Sequence, residues 1–265
     1  MRLSINTRAL ALGIFGCFLL TVTASAAEVR VMISSGFFSV YKELGPAFEK
    51  STGHKLITTR GPSVGDSPEA IPTRLARGED ADVVIMDGVG VDLLEKRELA
   101  RPGSRIPLAE SFIGMVVRAG LPKPDISTME GLRNTLLAAK SIAYSDSSSG
   151  TYLSTIGFKK LGVADEIAGK TRKVRGPPSG EPVAAVVARG EAEIGFQQVP
   201  ELIDVPGVDF VGTVPSDVQP PTLFVGALPK NSQQPDVAIA LMRFLSSGEA
   251  AEVIAKAGLK PLPAR

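Results

Sequence analysis

Cysteine, histidine and tryptophan are nearly missing from this chain: one Cys, one His and no Trp among 265 residues. A lone thiol cannot close an internal disulfide, and single copies of Cys and His cannot supply the ligand set of a zinc site. No thiolate metal site is expected. Aromatic residues make up 5% of the chain, so the core has to be aliphatic and rich in alanine. Neither sign of charge dominates, with 29 Lys and Arg against 28 Asp and Glu. That balance creates no basic field for nucleic acid or for an anionic membrane surface. The eight-residue phosphate-loop pattern does not occur.

One long apolar run is present, and it stands at the start. Arg2 and Arg8 lie in a short basic segment, Ala9–Val22 is apolar, and small residues fill Thr23–Ala27. This order predicts a secretory signal peptide over residues 1–27, cleaved after Ala26 or Ala27. The run is too short to span a bilayer comfortably. Cleavage removes Cys17, Arg2 and Arg8 and leaves 27 basic against 28 acidic residues. The expected product is a soluble periplasmic protein.

The rest alternates between two periodicities. Glu28–Ser34 reads as a strand, Phe37–Gly53 as a helix interrupted or kinked at Pro46, and His54–Arg60 as a strand. Helix, strand and helix follow through Ala100. A second series begins at Phe112 and repeats the same grammar. Arg74–Met86 and Val186–Gln197 even share one order: helix, Gly stop, acidic turn, buried strand. This predicts an α/β fold of two lobes, with mainly parallel sheets, helices on both faces and a ligand cleft at the carboxyl ends of strands. Ser111–Gly120 and Pro221–Lys230 are the passages suited to crossing between lobes. Lobe one then comprises residues 28–110 plus 222–265, and lobe two residues 111–221.

Four junctions share one design: an apolar strand, a short polar or Gly-rich loop, then a helix start. They are Ser34–Phe37, Arg60–Pro68, Ser145–Tyr152 and Gln197–Glu201. A helix start leaves backbone N–H groups unpaired at the positive end of its dipole, and small hydroxyl residues let an anion approach and add donors. Each loop alone is better explained by capping. Four together argue for one shared anionic ligand.

With these motifs on view ("VRVMISSGF", "GPSVG", "ADVVIMD", "IAYSD", "ARGEAEIGFQQ"), the chain resembles the periplasmic molybdate-binding protein family, which belongs to the type II periplasmic binding proteins. The resemblance implies the two-lobed fold with an interlobe cleft, and an oxyanion held by hydroxyls and N–H groups. By position it implies Ser35 and Ser63 in lobe one, and the "SDSSSG" loop and the "GFQQ" strand end in lobe two. Two departures stand out: Gln197 or Gln198 near the place of a tyrosine hydroxyl, and Arg60 three residues before Ser63. Guanidinium and carboxamides suit a larger carboxylate better than a compact tetrahedral dianion. In this the chain is similar to the subgroup of the family that contains aconitate isomerase.

That resemblance implies an allylic proton shift between trans- and cis-aconitate, which needs a base at the proton and donors on the carboxylates, and no metal or organic cofactor. Candidate bases are Asp146, Glu181 and Tyr152. Candidate binding residues are Ser35, Gly36, Arg60, Ser63, Ser147, Ser149, Gly150, Thr151, Gln197 and Gln198. The alternative is a receptor that delivers a molybdate-like oxyanion or a carboxylate to the membrane component of an ABC transporter. In either case the partner is a small anion and the protein a monomer. A hydrolase finds no support, because "SDSSSG" is not a G-x-S-x-G elbow and His54 has no evident partner.

Overall fold

A computed structural model describes residues 26–65 and 67–263. The signal segment expected at 1–27 lies outside them, except for Ala26 and Ala27.

The first sheet takes strands from both ends of the chain. They are β1 (Glu28–Ile33), β2 (Lys55–Arg60), β3 (Val83–Asp87), β4 (Ile106–Ser111), β10 (Thr222–Ala227) and β11 (Lys260–Pro261), in the order β11-β4-β10-β3-β1-β2. The second sheet holds β5 (Ile113–Arg118), β6 (Ile142–Ser145), β7 (Thr171–Val174), β8 (Ile194–Gln198) and β9 (Val208–Thr213), in the order β7-β6-β8-β5-β9. The chain crosses at Phe112, the single residue between β4 and β5, and returns along the segment before Thr222.

Both sheets are mixed, which corrects the expectation of mainly parallel pairing. β1 runs parallel to β2 and β3, and β6 parallel to β7 and β8. β10 is antiparallel to β3 and β4, and β5 to β8 and β9. The reason is geometric. β1, β2, β3, β6, β7 and β8 end at the cleft, whereas β5 and β10 start at the crossing and must run away from it.

Helices cover both faces of each sheet. In lobe one, α1 (Ser35–Thr52), α9 (Pro235–Leu245) and α10 (Ala251–Lys256) close one face, with Phe37, Val40, Phe48, Leu241 and Ile254 buried. α2 (Ile71–Ala76) and α3 (Gly88–Lys96) close the other around Ile71, Val91 and Leu94. β3 lies between these layers, so all five of its residues are buried and its sequence is apolar up to Asp87. In lobe two, α4 (Met129–Ala138), α5 (Ser148–Tyr152), α6 (Phe158–Lys160) and α7 (Ala164–Ile167) cover one face. α8 (Val183–Ala188) covers the other. α5 runs into α6 through a π turn at Leu153–Gly157.

α1 is unbroken through Pro46. The proline ring faces solvent, where water can satisfy the carbonyl that loses its partner. The helix stops at Gly53, whose φ of 76° lies in the left-handed region and whose N–H caps Glu49 O.

Where the chain crosses, the Gln219 carboxamide replaces a missing strand partner. Its Oε1 accepts from Ile113 N at 2.7 Å, and its Nε2 donates to Ile113 O at 3.0 Å and Val214 O at 2.7 Å. Gln219→Leu leaves a buried N–H and a buried carbonyl unpaired. It should lower stability by about 2–4 kcal/mol, read from urea denaturation.

Candidate active site

The carboxyl ends of the two sets of strands face each other and enclose a small cavity, partly open to solvent. Lobe one contributes Ser34, Ser35 and Gly36 after β1, Pro62 and Ser63 after β2, and Asp87 at the end of β3. Lobe two contributes Ser145–Ser149 after β6, Gly176 and Pro177 after β7, and Gln197, Gln198 and Glu201 at the end of β8. Phe224 of β10 forms part of the floor. The lobes are in contact across this space. Ser148 Oγ donates to Asp87 Oδ2 at 2.6 Å, and Ser179 Oγ donates to Glu69 Oε2 at 2.5 Å.

The hydroxyls differ in what they can still offer. Ser35 Oγ accepts from Arg60 Nη2 at 2.9 Å, and Ser63 Oγ accepts a long bond from Asp87 N at 3.4 Å. Each therefore keeps its own proton free for a ligand. Ser145 and Ser149 share a 2.9 Å bond, and Gly150 N donates to Ser145 Oγ at 3.3 Å. When Ser145 passes its proton to Ser149, the Ser149 proton is free in turn. Ser148 has spent its proton on Asp87. Ser34 Oγ and Gln198 Oε1 are buried without a partner.

Arg60 stands behind Ser35 rather than on the cavity wall. Its guanidinium lies 4.1 Å from the Phe38 ring centroid, and its Nε is buried and unpaired. Burial lowers its pKa against the opposing pull of Glu201. Glu201 is half-buried, and its carboxyl lines the cavity. Burial pushes that carboxyl up to about 8; Arg60 and a hydrogen bond from Gln197 pull it down, and Asp146 pushes it further up. Both groups are shifted toward their neutral forms, so lost hydration outweighs their mutual attraction.

The expected residues separate into two groups. Ser35, Gly36, Ser63, Asp146, Ser147, Ser149, Gln197 and Gln198 line the cavity. Gly36 is also demanded by packing, since a Cβ there would stand 2.3 Å from the Phe224 ring. Asp146 lines the cavity and also ties loops together, its Oδ1 accepting from Gly176 N at 3.1 Å. Gly150 lies behind the wall, where a Cβ would collide with Ser145 O at 1.7 Å. Thr151 is exposed and its N–H is bound to Ser147 O, and the Gly150 N–H is bound to Ser145 Oγ, so both N–H groups are engaged within the protein. Tyr152 donates to Val218 O at 2.9 Å, outside the cavity. Glu181 is held outside it by both terminal nitrogens of Arg189, at 2.7 and 2.8 Å, and this contact lowers its pKa.

Asp87 and Glu201 are charged lining residues that the sequence does not mark as candidates, and Ser148 joins them from within the Ser145–Gly150 loop. Glu201 closes the Gln197–Glu201 junction that was singled out, but as the first-turn acid of a short 3-10 turn it carries no signal of burial. Gly61–Gly65 spells G-x-S-x-G, yet Ser63 accepts from Asp87 N and His54 stands at the opposite end of β2. No nucleophile elbow is formed. Among the described residues, no cluster of three His, Cys, Asp or Glu is arranged to hold a metal.

A two-lobed α/β protein with a hydroxyl-lined interlobe cavity is the architecture of the type II periplasmic binding proteins. The family of bacterial extracellular solute-binding proteins matches residues 29–260, and the chain belongs to it. An aconitate isomerase of Pseudomonas sp is 48% identical over 237 residues, covering 89% of both proteins. The molybdate-binding protein ModA of Azotobacter vinelandii is 28% identical over 245 residues, covering 90% of this chain and 92% of that one. The solved structure of an A. vinelandii periplasmic molybdate-binding protein superposes with a TM-score of 0.69 at 21% identity, over 89% of this chain and 99% of that one, and shares the fold.

The raised pKa of Glu201 has a thermodynamic consequence. The folded state holds a proton that the unfolded chain releases near 4.5, so Glu201 costs stability as pH rises from there to about 8. Glu201→Gln should therefore melt above the wild type at pH 8, by several kcal/mol at most, and the gap should close toward pH 4.5. Thermal denaturation across that range measures it.

Proposed function

We propose that this protein is a periplasmic aconitate isomerase, exported through residues 1–27 and working as a monomer. The observation that carries the proposal is the 48% identity to an aconitate isomerase over nearly the whole chain. The cavity chemistry agrees with it. A tricarboxylate needs donors for several carboxylates, and Ser35, Ser63, Ser147 and Ser149 offer hydroxyls from opposite lobes. Arg60 adds a positive charge one residue behind the wall. Carboxamides at Gln197 and Gln198 extend the polar surface on the lobe-two side. The reaction moves a proton along an allyl system, so one acid–base group and fixed donors suffice.

The family membership supports a second reading, a receptor that hands a carboxylate or a molybdate-like oxyanion to an ABC transporter. Turnover separates the two. Purified protein incubated with trans-aconitate should form cis-aconitate, and EDTA should leave the rate unchanged. No turnover, with thermal stabilisation by molybdate or tungstate alone, would reject the isomerase. Arg60→Ala removes a charge-assisted donor to Ser35 and the main counter-charge of the cleft. It should raise KM for trans-aconitate about tenfold to a hundredfold, read from initial rates.

A further inference from the structure

We propose that Glu201 is the group that takes the proton from the substrate's methylene and returns it at the far end of the allyl system, with Gln197 as its positioning residue. This inference rests on the isomerase reading above and names the acid–base group that reading leaves open.

The first argument is elimination among the carboxyls that line the cavity. Asp87 has both oxygens committed: Oδ1 accepts from Gly90 N at 2.9 Å and Oδ2 from Ser148 Oγ at 2.6 Å. It caps α3 and joins the lobes. Asp146 Oδ1 is bound by Gly176 N, which fixes the loop after β6 to the loop after β7. Glu201 Oε2 accepts one bond, from Gln197 Nε2 at 2.6 Å, and its Oε1 makes no hydrogen bond among the described residues. Of the three, Glu201 has no task in holding loops or lobes together.

The second argument is orientation. A carboxamide can in principle be turned over, exchanging donor and acceptor. Gln197 cannot, because its Oε1 accepts from Val183 N at 3.0 Å and a backbone N–H only donates. Its Nε2 must therefore face Glu201. Gln197 is itself buried at the end of β8, and Val183 begins α8, so the pair is fixed to two rigid elements. One Glu201 oxygen is thereby occupied as an acceptor in both protonation states. The exchangeable proton belongs on the other.

The third argument is electrostatic. Arg60 from the end of β2 and Asp146 from the loop after β6 act on Glu201 with opposite signs, and burial outweighs both. A carboxylate that loses little hydration when substrate arrives, and whose proton affinity lies near neutral pH, is matched to moving a carbon-bound proton.

The step balances without a co-reactant. The Glu201 carboxylate accepts a proton from the methylene carbon. The C–H electron pair enters the allyl system, delocalised toward the carboxylates that the serine hydroxyls hold, and the double bond moves by one carbon. The Glu201 acid then gives its proton to the other allyl terminus and is again a carboxylate. Nothing is oxidised or reduced.

The experiment compares the full chain with Glu201→Gln and Gln197→Leu, using trans-aconitate turnover and trans-aconitate-induced thermal stabilisation. Glu201→Gln should lower kcat by about 10³-fold while the stabilisation persists. A kcat within about tenfold of wild type overturns the inference and leaves the isomerase reading standing. An inactive wild type overturns both. Gln197→Leu removes a donor that favours the ionised acid, so the rising limb of the kcat/KM profile should move to higher pH; an unmoved limb removes Gln197 from its role. Should Glu201→Gln fail to fold, the wild type alone decides. In D₂O a single carboxylic acid returns part of the original protium to the product, and complete deuteration at that carbon in the first turnover overturns the single-group transfer.

Discussion

A carboxyl group shut into a cleft wall with one hydrogen-bond donor is costly, and much of this architecture is arranged around that cost. Glu201 could be hydrated if the lobes stood apart. It is enclosed because the carboxyl ends of six strands converge from two sheets and the loops after them meet. The meeting is fixed by contacts that do not involve Glu201: Ser148 to Asp87 on the cavity wall, and Ser179 to Glu69 outside it. Closure requires the crossings to be short and well paired. One residue separates β4 from β5, and Gln219 supplies hydrogen bonds where the returning chain forms no ladder.

The density of small hydroxyls follows from the same enclosure. A buried anion site needs donors, but a cavity full of fixed cations would hold its ligand as an ion pair and stabilise the ground state as much as any later one. Serines answer with protons whose direction is set by what their oxygens already accept. Ser35 is oriented by Arg60, and Ser63 by the N–H of Asp87. Ser149 belongs to a relay that starts at Gly150 N. The formal positive charge stays behind Ser35, partly dehydrated and stacked on Phe38. The field of Arg60 reaches both the ligand space and Glu201 while its own contacts remain with the protein.

The sequence made the fold class legible because it is written in period and punctuation. β3 reads as a buried strand from five apolar-to-acidic letters, and Gly53 ends α1 where its left-handed φ requires it. Strand direction was not legible, since a strand leaving the crossing and one entering the cleft have the same composition. The lining serines could be picked out because hydroxyls after a strand have few other uses. Glu201 could not be. The groups that act on its carboxyl, Arg60, Gln197 and Asp146, lie 141, 4 and 55 positions away in the chain. Glu181 looked equivalent in sequence, an acid near a helix start, yet Arg189 eight residues on captures it at the surface. Tyr152 and Thr151 stand outside the cavity, Tyr152 with its hydroxyl on the Val218 carbonyl and Thr151 exposed.

Receptor and isomerase share nearly every feature of this cleft, so the distinction must lie in groups that binding alone would not keep. A receptor for a fully ionised anion gains from hydroxyls, N–H groups and a guanidinium. It gains nothing from an enclosed carboxyl, which is either an ionised repulsion or a neutral acid held at the expense of stability. Glu201 is such a group, half-buried in the turn after β8 with one oxygen engaged and the other unbonded. Gln197, which in a receptor could turn its donor toward the ligand, is locked by Val183 N with that donor on the acid instead. The cleft thus commits a buried side chain to orienting a group that weakens anion binding. That commitment is intelligible when the group has a proton to move.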